Sequence, residues 1–171
     1  EQGVAVLLTG NGKGKSSSAF GMLARSLGYG HQCSVIQFIK GAWECGEDLF
    51  FANHPNVDYH SLGGGFTWET QNHEADKQAA KKAWDVAKQR LQNPDLNLVI
   101  LDELTYMFRQ ELLDLDDVIA TLQQRPSMQN VVITGRGAPD ALIEAADTVS
   151  EIKDVKHAFR QGIKAQKGIE F

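Results

Sequence analysis

The sequence predicts an α/β fold, a doubly wound and mostly parallel sheet. Three observations predict it. Short apolar runs alternate with longer helical patterns along the chain. The runs are nearly continuous in Val, Ile and Leu, as strands buried on both faces require. A glycine-rich loop separates the first run from the first helical pattern.

Taken in order, the first strand is expected at 4–8, where Val4 to Leu8 are apolar, and the first helix at 15–28. Strands follow at 34–39 and 57–61. A long helix is expected at 73–92, because Ala80, Ala83, Trp84, Ala87 and Leu91 recur at helical spacing. Asn72 is its N-cap, with Glu74 and Asp76 in the first turn, and Asn93-Pro94 ends it. Then come a strand at 98–101, a helix at 115–124, a strand at 130–134, a helix at 140–146 and a strand at 148–152. No repeat, low-complexity stretch or linker marks a second domain. The expectation is one domain over 1–171, with a pliable loop at 62–72 and a basic tail from 155.

The composition excludes several classes. A chain of 171 residues can bury a real core, and 42% hydrophobic with 23% charged residues is ordinary for a globular protein. A net charge of −5 argues against extended nucleic-acid contact. Cys33 and Cys45 form no metal-ligand pattern and no disulfide framework, and no signal peptide is evident, so a reducing cytoplasm is expected. No apolar run is long enough to span a membrane. The chain starts almost at its first strand, which suggests that an N-terminal segment precedes it.

The most informative stretch is Thr9-Gly10-Asn11-Gly12-Lys13-Gly14-Lys15-Ser16-Ser17-Ser18. Strand, glycine-rich loop and helix together make a phosphate-binding loop. Its glycines let backbone N–H groups converge on phosphate oxygens, and the helix points its positive end at the same place. Gly10, Asn11, Gly12, Gly14, Lys15, Ser16 and Ser17 are therefore candidate ATP contacts. Lys15 would neutralise terminal phosphate charge, and Ser16 would offer its hydroxyl to Mg²⁺ or Mn²⁺. Lys13 fits either a phosphate contact or a solvated position. The usual pattern opens on glycine where Thr9 stands, so this loop is tighter than most.

The second signal is Leu98-Val99-Ile100-Leu101-Asp102-Glu103. An apolar strand running into an acidic pair delivers carboxylates where ligands bind in such sheets, so Asp102 and Glu103 are candidate metal ligands opposite Ser16. Thr134-Gly135-Arg136-Gly137 places an arginine between glycines at another strand end, suited to phosphate or ribose. Arg25, ten residues beyond Lys15, faces either nucleotide or solvent. Gly63, Gly64 and Gly65 precede Phe66 and Trp68, whose rings either meet a ligand or fold back into the core. The segment 155–168 is basic in an acidic protein, either a solvated terminus or a flap over an anionic ligand.

These residues resemble the ATP:corrinoid adenosyltransferases, a family with a P-loop and a RecA-like sheet. The resemblance covers nearly the whole chain. It rests on the phosphate loop and on Val35-Ile36-Gln37-Phe38-Ile39-Lys40-Gly41, Gly65-Phe66-Thr67-Trp68, Leu101-Asp102-Glu103-Leu104-Thr105-Tyr106, Thr134-Gly135-Arg136-Gly137 and Val155-Lys156-His157-Ala158-Phe159. Ser16-Ser17 stands where the family more often has Thr-Thr, and a hydroxyl remains. The resemblance implies transfer of the 5′-deoxyadenosyl group of ATP to the Co(I) of a reduced corrinoid such as cob(I)alamin, with release of triphosphate. It implies ATP bound in the reverse sense across the loop, in keeping with the tight Thr9-Gly10 variant. Phe66 and Trp68 match the aromatics that keep the lower axial ligand off cobalt, so with Lys15 they are the expected catalytic residues. A homodimer and a reduced flavoprotein electron donor are implied as well. The competing expectations are a P-loop phosphotransferase or ATPase, with Glu103 activating water or a hydroxyl, and a nucleotide-dependent switch.

Overall fold

The structure is a computed structural model that describes residues 1–41, 43–62 and 72–171. Six strands form one parallel sheet: β1 (Ala5–Thr9), β2 (Cys33–Gln37), β3 (Val57–Ser61), β4 (Leu98–Asp102), β5 (Asn130–Thr134) and β6 (Thr148–Glu151). Their spatial order is β3-β2-β4-β5-β1-β6, and every neighbouring pair is parallel. The helices are α1 (Lys15–Leu27), α2 (Gly46–Phe51), α3 (His73–Leu91), α4 (Thr105–Arg109), α5 (Leu115–Gln124) and α6 (Asp140–Ala145), with a 3₁₀ turn at Ala158–Gln161.

The two faces of the sheet explain why its strands read as unbroken apolar runs. Successive side chains point to opposite faces. Leu7, Ile36, Val99, Leu101, Val131 and Ile133 pack on one side with residues of α3, α4, α5 and α6. Leu8, Val35, Leu98, Ile100 and Val132 pack on the other with Ala19, Phe20 and Leu23 of α1 and Phe51 of α2. Both faces are covered, so neither set alternates with polar residues. The two edge strands are the exceptions: β3 alternates Val57 and Tyr59 with Asp58 and His60 and is mostly half-buried, and all four residues of β6 are exposed.

All six strands and helices α1, α3, α5 and α6 lie where the sequence places them, with ends shifted by no more than two residues. Strand β2 stops at Gln37, short of Ile39, and β4 runs on to include Asp102. Asn72 caps α3 as expected, its Oδ1 accepting the Ala75 N–H at 3.1 Å. Helices α2 and α4, of six and five residues, were not expected from the sequence, whereas α6, also six residues, was. Trp84 Nε1 and Lys88 Nζ both donate to Asp117, each at 2.8 Å, tying α3 to α5.

Register decides where the chemistry gathers. Leu8 lies opposite Thr134, Thr9 opposite Glu151, and Gln37 opposite Asp102. The carboxyl ends of β1, β2, β4 and β5 therefore finish level, at the edge where open α/β sheets bind ligands.

Candidate active site

The phosphate loop leaves β1 at Thr9 and enters α1 at Lys15. Gly10 and Gly14 have φ of 103° and 122°, a region that L side chains avoid. Helix α1 has no side-chain cap and no acidic residue in its first turn. Its leading N–H groups and its positive dipole end are thus available to an anion. Lys15 folds back over the loop, its Nζ donating to the Gly12 carbonyl at 2.6 Å. Lys15 is buried. Burial, reinforced by Arg136, holds its ammonium below the usual lysine range, while Glu103 pulls the other way.

Opposite the loop stands a hydroxyl–carboxylate cluster. Ser16 Oγ donates to Asp102 Oδ1 at 2.7 Å, and Thr134 Oγ1 donates to the same oxygen at 2.7 Å. The Glu103 N–H in turn donates to Thr134 Oγ1 at 2.9 Å. Strand β5 lies between β1 and β4, which is how Thr134 comes to bridge them. Asp102 is 5% exposed, and burial raises its carboxyl despite the two hydroxyl donors. Burial and the Asp102 charge likewise raise Glu103, against the pull of Lys15 and Arg136. Glu103 also has φ of 60°, a costly conformation for a residue with a side chain, and backbone strain of this kind gathers at functional sites.

These donors fit a hard divalent cation. A hydroxyl and two carboxylates are oxygen ligands, and burial raises both acidic groups, with the Asp102 charge raising Glu103 further despite Lys15 and Arg136 nearby. Among the described residues no group of three or more His, Cys, Asp or Glu gathers elsewhere or here. Mg²⁺ characteristically takes one or two carboxylates and completes its shell with phosphate oxygens and water.

Arg136 is set between Gly135, φ 146°, and Gly137, φ 59°. Its carbonyl accepts Thr105 Oγ1 at 2.7 Å, which fixes the turn from below. A Cβ on Gly135 would fall 1.9 Å from that Thr105 oxygen, so only glycine fits.

A cleft of about 1160 Å³ opens above these groups. Asn11, Gly12, Lys13, Gly14, Lys15, Ser16, Ser17, Asp102, Glu103 and Arg136 line it, ten of the sequence-predicted residues. Gly10 and Arg25 do not. Gly10 is packed against the backbone of Ile152. Arg25 sits in the last turn of α1, about 15 Å along the helix from Lys15. Phe66 and Trp68 lie outside the described residues.

The cleft also uses residues to which the sequence reading gave no role. Gln37 ends β2 and bonds the Asp102 carboxylate. A polar residue closing an otherwise apolar strand was the available signal. Trp43 stacks on Phe171 at 6.0 Å between ring centroids, closing the far rim with the last residue of the chain. No local signal could pair residues so far apart. The tail contributes His157, Phe159 and Arg160 to the cleft wall, with Arg160 held by Asp154 at 2.6 and 3.0 Å.

Comparison with known proteins bears on this arrangement. Corrinoid adenosyltransferase from Pseudomonas aeruginosa is 58% identical over 172 residues, covering all of this chain and 85% of that protein. Corrinoid adenosyltransferase CobA from Salmonella typhimurium is 48% identical over 171 residues, covering all of this chain and 87% of that protein. Among solved structures, the flagellar accessory protein FlaH from Methanocaldococcus jannaschii matches with a TM-score of 0.57 at 10% identity, over 88% of this chain and 71% of that one. At that identity the likeness speaks for the P-loop fold alone. The family described as ATP:corrinoid adenosyltransferase BtuR/CobO/CobP matches residues 1–171, the full span that builds the phosphate loop, the acidic strand end and the tail, and the chain belongs to this family.

Proposed function

We propose that the cleft holds the triphosphate of ATP on the phosphate loop and Arg136 and presents the ribose C5′ to the cobalt of a reduced corrinoid. The protein is an ATP:corrinoid adenosyltransferase. In the reaction the Co(I) electron pair attacks C5′ and becomes the cobalt–carbon bond, while the C5′–oxygen bond breaks and triphosphate leaves with the electron pair of that broken bond. The nucleophile carries no proton, so no general base is needed. The protein's task is to stabilise charge on the leaving group. Lys15 and Arg136 do this, together with the amides of the α1 first turn. Ser16, Asp102 and Glu103 would hold Mg²⁺ or Mn²⁺, which when bound adds positive charge beside the same oxygens.

The observation that carries this reading is the convergence of Lys15, Ser16, Asp102, Glu103 and Arg136 on a single cleft. At about 1160 Å³ that cleft exceeds the usual range for one small ligand, leaving room for two substrates. Phe66 and Trp68 are assigned to the lower face of the corrinoid, and the basic tail to a flap over the bound anion. The family resemblance further supports a single-domain homodimer in the cytoplasm, served by a reduced flavoprotein. Among the described residues no helix is long and apolar enough to cross a membrane.

Incubation with ATP, Mg²⁺ and chemically reduced cobalamin tests the reading. The expected outcome is the visible spectrum of an alkylated corrinoid and one intact triphosphate per turnover. Release of ADP and phosphate without corrinoid alkylation would identify an ATPase instead.

A further inference from the structure

Ile152 lies one residue beyond β6, yet its backbone brackets the phosphate loop. Its N–H donates to the Thr9 carbonyl at 2.8 Å, and its own carbonyl accepts the Gly12 N–H at 2.8 Å. The approach is close. A Cβ on Gly10 would sit 2.3 Å from the Ile152 oxygen and 2.8 Å from its nitrogen. A Cβ on Gly12 would sit 2.6 Å from the Lys153 oxygen and 2.8 Å from Ile152 Cγ2. The Gly12 carbonyl is claimed as well, by Lys15 Nζ at 2.6 Å. Both backbone groups of Gly12 are therefore occupied within the protein itself.

Phosphate loops bind anions through unclaimed N–H groups that converge on one point. An N–H that already donates to a carbonyl at 2.8 Å does not take part. The N–H groups of the α1 first turn, by contrast, have no capping side chain.

We propose that Ile152 is a positioning residue of the ATP site: it pins Gly12 inward, so the triphosphate is gripped by the amides from Lys13 onward and by Lys15, not by the first half of the loop. This rests on the ATP-site reading above. It gives the tight Thr9-Gly10 opening a physical cause, since the space a wider loop would need is filled by the backbone of 152 and 153. The same backbone leads into Asp154 and Arg160 on the cleft wall, so loop and tail share one anchor.

Amide hydrogen exchange and chemical shifts by NMR, on the whole protein with inorganic triphosphate as probe, test the proposal without any variant. The Gly12 amide should be protected in the free protein and shift little on binding, while the amides of Lys13 to Ser17 shift strongly. Ile152→Pro, which removes the N–H donated to Thr9, should weaken triphosphate binding and raise the ATP KM about tenfold, the equivalent of one net hydrogen bond, with kcat at saturating ATP little changed. Ile152→Ala, which keeps both backbone bonds, should bind triphosphate much as the parent does. A Gly12 amide that exchanges freely, or that shifts most on binding, overturns the proposal while leaving the ATP site intact. So does a folded Ile152→Pro protein that binds triphosphate as the parent does. A parent that binds no triphosphate while Gly12 stays protected overturns the ATP-site reading and the role of Ile152 with it.

Discussion

Ser16 and Asp102 share a 2.7 Å hydrogen bond across 86 residues of chain, joining the first turn of α1 to the end of β4. In the free protein this bond keeps a buried carboxylate oxygen satisfied. A divalent cation at the proposed site would draw on the same two oxygens and on Glu103. Removing the Glu103 charge should therefore weaken metal use more than ATP contact. Glu103→Gln is expected to raise the Mg²⁺ needed for half-maximal rate about tenfold or more. Titrating Mg²⁺ against rate at fixed ATP measures it. An unchanged requirement would remove Glu103 from the metal site.

Lys15 is buried over the phosphate loop, where the leaving triphosphate is proposed to lie. Lys15→Ala should cost about 3 kcal/mol or more in transition-state stabilisation, a fall of two orders of magnitude or greater in kcat/KM. Circular dichroism should show an intact fold. Near-normal turnover would refute the phosphate-loop assignment.

Gly135 and Thr105 are in such close contact that a single methyl group should be felt. Gly135→Ala places its Cβ 1.9 Å from Thr105 Oγ1 at a φ of 146°. It should destabilise the protein by about 1–3 kcal/mol and displace Arg136. Denaturant melts and ATP KM should both change. The double variant Gly135→Ala/Thr105→Ala should recover part of the stability, because the opposing oxygen is gone. Equal stability of single and double variants would show that the collision is not the cause.

Acid sensitivity should trace in part to Asp58. Burial alone would raise its carboxyl, but donation from Arg90 and Ser34 and the nearby His60 outweigh burial and hold it below the usual carboxylate value. A carboxyl lowered in the folded state binds fewer protons there than in the unfolded chain. Its stabilisation is present above the ordinary carboxylate value of about 4 and is lost as pH falls below that. Asp58→Asn should lower stability at neutral pH and flatten its decline in acid. Melts from pH 7 down to pH 3 follow both arms, and parallel curves for the two proteins would rule Asp58 out.

Phe66 and Trp68 should act on the reduction of cobalt more than on alkyl transfer. Apolar rings against the lower face exclude water and the lower ligand, and four-coordinate cobalt is easier to reduce. Changing either to Ala should hurt the reaction started from Co(II) far more than the one started from preformed Co(I). Rates for each variant with enzymatic and with strong chemical reductant separate the two. An equal fall in both would assign the rings to binding or folding.

The sequence by itself determined the strands, the longer helices and the phosphate loop. Their signals are local: apolar runs a few residues long, helical spacing from Ala80 to Leu91, and glycine-rich chemistry between Thr9 and Ser16. It also placed Asp102 and Glu103 at a strand end, because a strand's direction fixes where its last residues emerge. Tertiary structure alone decided who meets whom at that edge. Thr134 reaches Asp102 only because β5 is inserted between β1 and β4, and no residue near either strand announces that order. Ile152 brackets the loop, and Phe171 covers Trp43, through contacts between segments more than a hundred residues apart. Arg25 looked available to nucleotide in the sequence, but the rise of α1 carries it away from the cleft. Local patterns set each element and the chemistry it carries. Strand order and register set the distances between them, and those are fixed by packing both faces of the sheet at once.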